Sequence, residues 1–178
     1  MNRKYLLVFI LFPLIARDIY YTRSGTVSFF SATPIEDISA KNNQVTCVLD
    51  NDNGQVSFRI PILGFSFKNG LMQEHFNENY MESDIYPNAS FKGMINDWDK
   101  LKLTKESQKI KITGEMTIRG ISKEINETGI INKNKKNIIG SADFQIKIAD
   151  YGIKIPKIVQ KNIAEIIDIN IEVSLKKK

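Results

Sequence analysis

Cysteine and histidine each occur only once in the 178-residue chain, as Cys47 and His75. A single cysteine excludes an intrachain disulfide and any metal or iron–sulfur site that needs several thiolates. A single histidine excludes a zinc site built from two or more imidazoles, so we expect no metal. The sequence also lacks G-x-S-x-G, a glycine-rich phosphate loop and a plausible Ser/His/Asp arrangement. We therefore expect a protein that is not an enzyme and needs no cofactor, although a hydrolase with paired carboxylates stays open.

The excess of positive charge is small, because the chain has 25 Lys and Arg residues and 20 Asp and Glu residues, which gives a net charge of +5. The aromatic residues lie on apolar faces and do not interleave with a basic platform, so we expect no nucleic-acid partner. Two groups of lysines, Lys133 to Lys136 and Lys176 to Lys178, are most simply solvated charges. Their alternative role is transient contact with anionic lipid headgroups at a membrane surface.

Long apolar runs are absent except at the N-terminus, where Arg3 and Lys4 precede an apolar stretch over residues 5–16. This stretch has the length of a secretory h-region and is short for a membrane span. It predicts a signal peptide over residues 1–16, cleaved after Ala16, and a periplasmic or secreted protein. An uncleaved anchor and a buried strand are the alternatives. A mature chain with one cysteine and no disulfide suits an oxidising compartment.

Beyond residue 24 the apolar residues recur with a period of two, which is typical of antiparallel strands with one buried face. One clear example is the alternation of Ile110, Ile112, Met116 and Ile118 with charged and hydroxyl residues. Turn residues separate the segments. We predict one domain over residues 24–178 with about eight strands, near 26–32, 44–50, 55–68, 89–96, 108–119, 124–132, 138–149 and 166–176.

One segment breaks the alternation and predicts a short helix between the third and fourth strands. Helical spacing separates its apolar residues Leu71, Met72, Phe76 and Tyr80. Since an amphipathic helix must bury its apolar stripe, we expect these residues to lean onto one opening of the sheet structure and close it. The sequence signal for a second helical turn, near residues 158–164, is weaker.

Strands of this kind without crossover helices require a closed barrel or a sandwich. Eight strands that close on themselves leave an interior just wide enough for side chains or one slender ligand. Several of the proposed inner faces carry no charge, so a ligand inside would be apolar. Gly114 lies on the same face as Met116, two positions earlier, and we expect it to leave room beside that side chain.

Five spaced motifs, in order, resemble those of the YceI-like family. They are Ile62-Leu-Gly-Phe-Ser-Phe, Leu71-Met-Gln-Glu-His-Phe-Asn-Glu-Asn-Tyr-Met, Tyr86-Pro-Asn-Ala-Ser-Phe-Lys-Gly, Ile112-Thr-Gly-Glu-Met-Thr-Ile-Arg-Gly-Ile-Ser-Lys and Ala149-Asp-Tyr-Gly-Ile. The resemblance implies an all-β, antiparallel, lipocalin-like barrel, usually secreted. Better-known members hold a polyisoprenoid chain in this barrel, and no catalytic residues belong to the family's motifs.

The function implied is a secreted or periplasmic binding protein that holds an apolar isoprenoid or fatty-acyl lipid inside the barrel. The alternative is a packed structural or stress-response barrel without a specific ligand, because a tunnel and a filled core need the same alternation. His75 is a candidate contact for a ligand headgroup, or a member of a hydrogen-bond network. The residues predicted to line the interior are Phe58, Ile60, Phe65, Phe67, Met72, Phe76, Phe91, Ile112, Met116, Phe144 and Ile146.

Two further residues have simple structural interpretations. Cys47 lies among Val and Leu residues of a predicted strand, where a small apolar side chain is expected rather than a reactive thiol. Trp98 lies between two aspartates and is expected to cover a turn.

Overall fold

The computed structural model describes residues 17–178, which form one sheet of antiparallel strands. The short helix α1 spans Gly70–His75 and continues as a π-helical turn over Phe76–Tyr80. The strands are β1 Ile19–Ala32, β2 Asp37–Asp50, β3 Gln55–Pro61, β4 Phe65–Phe67, β5 Asn88–Ile95, β6 Gln108–Ile118, β7 Ile121–Asn134, β8 Asn137–Lys147 and β9 Ile166–Lys177.

The sheet closes on itself because β1 pairs with both β2 and β9. Strands β3 and β4 act as one interrupted strand, since both pair with β2 and only a 3-10 turn, Ile62–Gly64, separates them. The result is the closed antiparallel barrel of eight strands with one short helix that the sequence predicted. Because of this closure, the first and last strands of the chain pair with each other and do not form two outer edges of a sheet.

The interruption between β3 and β4 is held by one buried polar side chain, Asn42 of β2. Its Nδ2 donates to the carbonyl oxygen of Pro61 at 2.7 Å, and its Oδ1 accepts from the backbone N–H of Gln44 at 2.8 Å. A side chain at Gly64 would collide with Asn42, because the position of its Cβ lies 2.7 Å from Nδ2. The break in the strand is therefore specified by an amide and a glycine.

The first two strands are longer than the sequence predicted, because each begins seven residues earlier than expected. The additional part of β1 contains Tyr20 and Thr22, which are buried, and the register shifts between Thr22 and Gly25. That irregularity breaks the strict alternation, so the period of two could not be followed through it.

The predicted short helix is present as a continuous helical run over residues 70–80, and its second half is wound as a π-helix. Asn69 caps it, since Oδ1 accepts from the backbone N–H of Leu71 at 2.9 Å. Gln73 ties it to β4 by accepting from the N–H of Phe67 at 3.2 Å. The second predicted helical turn is present only as a 3-10 turn, Lys157–Val159.

The two ends of the barrel differ. At one end, which we call the closed end, the β2–β3, β5–β6 and β7–β8 connections meet the start of β1 and the end of β9. Buried apolar side chains fill the barrel there: Tyr20, Leu49, Val56, Ile95, Ile110, Ile131, Ile138 and Leu175. Trp98 covers the turn before Gly54 and donates its indole N–H to the carbonyl oxygen of Asn51 at 2.8 Å, as predicted.

At the opposite end, which we call the mouth, the β1–β2 turn, helix α1 and the β8–β9 connection come together. The predicted signal peptide, residues 1–16, lies outside the described residues. Within residues 17–178, no helix combines the length and the apolar character needed to cross a membrane.

Candidate functional site

A cavity of about 460 Å³ occupies the barrel interior. It extends from the buried residues of the closed end, such as Ile138 and Leu175, to exposed residues at the mouth, such as Leu71 and His75. Its volume lies within the range of ordinary small-molecule sites. Because nearly all its wall is made of Ile, Val, Leu, Met and Phe side chains, the cavity favours an apolar occupant.

All eleven residues predicted to line the interior contribute to the wall of this cavity, and they come from the strands, the helix and the π-helical turn. They are Phe58, Ile60, Phe65, Phe67, Met72, Phe76, Phe91, Ile112, Met116, Phe144 and Ile146. That these residues contact a ligand stays a prediction. His75 lies on the rim of the mouth, exposed, where a ligand headgroup would emerge.

Four aromatic rings form a cluster just inside the mouth, with Phe76 at its centre. The Phe76 ring centroid lies 5.0 Å from that of Phe67 and 5.5 Å from those of Phe29 and Phe65. Phe76 thus anchors the helix to the barrel, as expected. Leu71 also lies at the mouth of the cavity, but it is 58% exposed and so contributes little buried surface there.

Gly114 does not supply the expected room beside Met116, although Met116 itself lines the cavity. Gly114 lies directly opposite Gly93 of β5, and the two strands approach each other closely at this pair. A Cβ at Gly114 would lie 2.4 Å from the Cα of Gly93 and 2.9 Å from Cζ of Phe91. The glycines therefore make space for the Phe91 ring and for close strand contact, not for a ligand.

One carboxylate on the inner wall was missed, Glu127 of β7. It lines the cavity between the inward-facing Ile125 and Gly129 and pairs across the sheet with Ile112. The sequence predicts inner faces without charge on several strands, but its pattern leaves the inner face of β7 unassigned. Burial raises the pKa of Glu127 above its ordinary value.

The Cys47 thiol faces the same interior and is almost fully buried, as predicted for a small apolar side chain. Burial raises the pKa of Cys47 far above that of a free thiol, which opposes formation of the reactive thiolate. Within residues 17–178, no group of three or more His, Cys, Asp or Glu side chains is arranged to hold a metal ion.

The β8–β9 connection runs beside the mouth and is fixed there by two hydrogen bonds. The backbone N–H of Ala164 donates to the hydroxyl of the buried Ser31 at 2.9 Å. The Nδ2 of Asn162 donates to Oε2 of Glu36 at 3.2 Å. These bonds join the connection to the end of β1 and to the β1–β2 turn. Ile158, which lies in the same connection, is 91% exposed.

An eight-stranded antiparallel barrel with a mostly apolar interior cavity and a helix beside its mouth places the protein in the class of lipocalin-like barrels. Residues 21–175 match the model of the YceI-like domain, so the chain belongs to the YceI-like family. Comparison with curated protein sequences gives no match.

Solved structures from three bacteria share the fold. A polyisoprenoid-binding domain from Saccharophagus degradans, implicated in plant cell wall breakdown, superposes with a TM-score of 0.79 at 10% identity, over 92% of this chain and 100% of that domain. BcnA from Burkholderia cenocepacia gives 0.70 at 15% identity, over 85% and 95% of the two chains. A YceI protein from Campylobacter jejuni gives 0.58 at 21% identity, over 99% of each.

Proposed function

We propose that this protein is a non-enzymatic binding protein that holds an apolar isoprenoid or lipid chain inside its barrel. The observation that carries the proposal is the cavity itself, which is about 460 Å³, almost entirely apolar and continuous from the closed end to the mouth. Burial of a chain in such a cavity is favourable because apolar surface leaves water on both sides. Similarity in fold to a polyisoprenoid-binding domain supports the same class of ligand.

Native mass spectrometry of the protein purified from its own host tests this proposal. We expect a co-purifying apolar molecule that is released on unfolding. A protein that carries no such molecule, and that binds no added isoprenoid or fatty-acyl chain, would instead support a packed structural barrel.

We propose further that the chain acts outside the cytoplasm, in the periplasm or as a secreted protein. This proposal is supported by the N-terminal segment, in which Arg3 and Lys4 precede an apolar stretch over residues 5–16. A chain with a single cysteine also needs no disulfide in an oxidising compartment. N-terminal sequencing of protein from the periplasm should find a chain that starts shortly after Ala16. A chain that begins at Met1 and sediments with membranes would support the anchor.

A transient contact with an anionic bilayer at the mouth completes the proposal, because an apolar ligand needs a route that avoids water. The exposed Leu71 and Ile158 flank the mouth, and Lys154, Lys157 and Lys161 lie in a segment, residues 151–164, without any acidic residue. Apolar side chains combined with lysines favour anionic lipid surfaces. The lysines that the sequence analysis considered for this role, such as Lys135, lie at the closed end.

Co-sedimentation with phosphatidylglycerol-containing vesicles tests this contact. Ile158→Glu should lower the vesicle-bound fraction, whereas the matched control Ile139→Glu, an exposed isoleucine on β8, should not. An equal effect of the two substitutions would contradict docking through the mouth.

A further inference from the structure

Among the residues that the structure describes, Glu127 is the one acidic side chain on the strand wall of a mostly apolar cavity. The cavity's other carboxylate, Glu36, lies in the β1–β2 turn at the mouth, where Asn162 donates to it. Glu127 instead lies at mid-height in β7, with its neighbours Ile125 and Gly129 on the same inward face.

Among residues 17–178, no cationic side chain forms an ion pair with the Glu127 carboxylate. The ion pairs within residues 17–178 join Lys100 to Asp97, Arg119 to Glu82 and Lys177 to Asp18. Burial is the only influence that shifts the pKa of Glu127, with no contribution from a nearby charge or hydrogen bond. Because Glu127 is half-buried on the cavity wall, its carboxylate is an acceptor that a ligand inside the barrel can reach.

The barrel wall opens beside this residue. Pairing between β7 and β8 runs from the turn only as far as Gly129 opposite Ala142. Residues 121–128 of β7 pair with β6 alone, so their backbone groups on the other side have no partner from β8. Glu127 lies two residues beyond the last pair, which places polar backbone and a carboxylate together on the cavity wall.

We propose that the cavity takes an apolar chain that carries a hydrogen-bond donor, a hydroxyl or a primary amine, and that Glu127 accepts this donor inside the barrel. The inference rests on the proposed function and specifies the chemistry of its ligand. A donor that enters an apolar cavity must replace its hydrogen bonds to water, and Glu127 supplies the acceptor. A chain that ends in a carboxylate would be repelled from the same position.

Competition against the apolar fluorophore N-phenyl-1-naphthylamine tests the proposal at neutral pH with three ligands of equal length: dodecylamine, dodecanol and laurate. The unmodified protein should bind the amine and the alcohol at least about tenfold more tightly than laurate, since Glu127 accepts a hydrogen bond from their donors and repels a carboxylate. Glu127→Gln should remove most of the difference between amine and laurate, and Glu127→Leu should in addition weaken dodecanol.

Glu124→Gln is the matched control, because Glu124 is exposed on the outer face of the same strand, opposite Glu115. It should leave all three affinities unchanged. Fluorophore binding by every variant shows that the cavity is intact. Equal affinities for amine and laurate in the unmodified protein, or an unchanged ratio in Glu127→Gln, would overturn this inference alone. Failure of the unmodified protein to bind the fluorophore or any chain would overturn the proposed function and this inference with it.

Discussion

At the scale of the residue, the alternation of inward and outward side chains decides what reaches the cavity. Along β7 the adjacent Ile130 and Ile131 leave this alternation ambiguous in the sequence, since either one could face inward. The structure buries Ile131 and exposes Ile130, and the period of two then places Glu127 on the inner wall. The inner carboxylate was therefore missed because one strand carries apolar residues on both faces.

Glu127 should give the protein a measurable dependence of stability on pH. Its pKa is raised in the folded state, so the folded protein binds more protons than the unfolded chain over the pH range between the ordinary glutamate pKa and the raised one. Stability therefore falls as the pH rises through that range. We expect Glu127→Gln to stabilise the protein more at pH 7 than at pH 4, as measured by urea unfolding.

Glu172→Gln provides the control for this measurement, because Glu172 is exposed on β9 and lies opposite Ser141 and Thr26, not opposite a second carboxylate. If Glu127→Gln changed the free energy of unfolding equally at both pH values, burial in the cavity would not be raising the pKa of Glu127, which would contradict this prediction.

Asn42 is expected to be the polar residue whose loss costs the most stability. It is fully buried and makes two hydrogen bonds that hold the break between β3 and β4. Asn42→Ala leaves the carbonyl of Pro61 without this donor and should lower the free energy of unfolding by about 1–3 kcal/mol. Asn43→Ala, at the exposed neighbouring position, should change it by less than about 0.5 kcal/mol. Equal losses would contradict this role.

At the scale of the element, the strands could be predicted wherever apolar and polar residues alternate strictly, as they do in β6, β8 and β9. The early halves of β1 and β2 could not, because a register shift near Gly25 and the polar run Lys41-Asn42-Asn43 hide the alternation. These two segments form strands because they pair with each other and with β9, not because their own sequences alternate. The π-helical turn after His75 likewise has no signature in the apolar spacing.

The helix should be held to the barrel mainly by Phe76. Its ring is partly buried within the aromatic cluster, so Phe76→Ala should lower the free energy of unfolding by about 2 kcal/mol, less than the roughly 3–5 kcal/mol of a fully buried phenylalanine. Leu71→Ala, in the preceding turn of the same helix, should cost less than about 0.5 kcal/mol because Leu71 is exposed. Chemical denaturation measures both, and the reverse order would mean that the helix packs differently.

At the scale of the whole molecule, the closure of the barrel brings together residues that are distant in the chain, and no local sequence pattern predicts which ones. It gathers Lys133 and Lys136 with Lys176 at the closed end, although they are far apart in the chain. It also brings helix α1 and the β8–β9 connection to the mouth. The apolar inner face was predictable, but whether it would pack solid or enclose a cavity depends on side-chain volumes from eight strands at once.

The central claim is that this interior holds an apolar chain, and Met116→Trp tests it most directly. Met116 lines the cavity, so the larger indole should enter free space and block it. Met94→Trp is the matched control, since Met94 is exposed on the adjacent strand β5.

The measurement pairs fluorophore binding with thermal unfolding of the ligand-free protein. We predict that Met116→Trp weakens binding at least about tenfold while the free energy of unfolding changes by less than about 1 kcal/mol, and that Met94→Trp behaves like the unmodified protein. The account would be contradicted if the unmodified protein bound no apolar chain and Met116→Trp lost about 1–3 kcal/mol, as overpacking of a filled core requires.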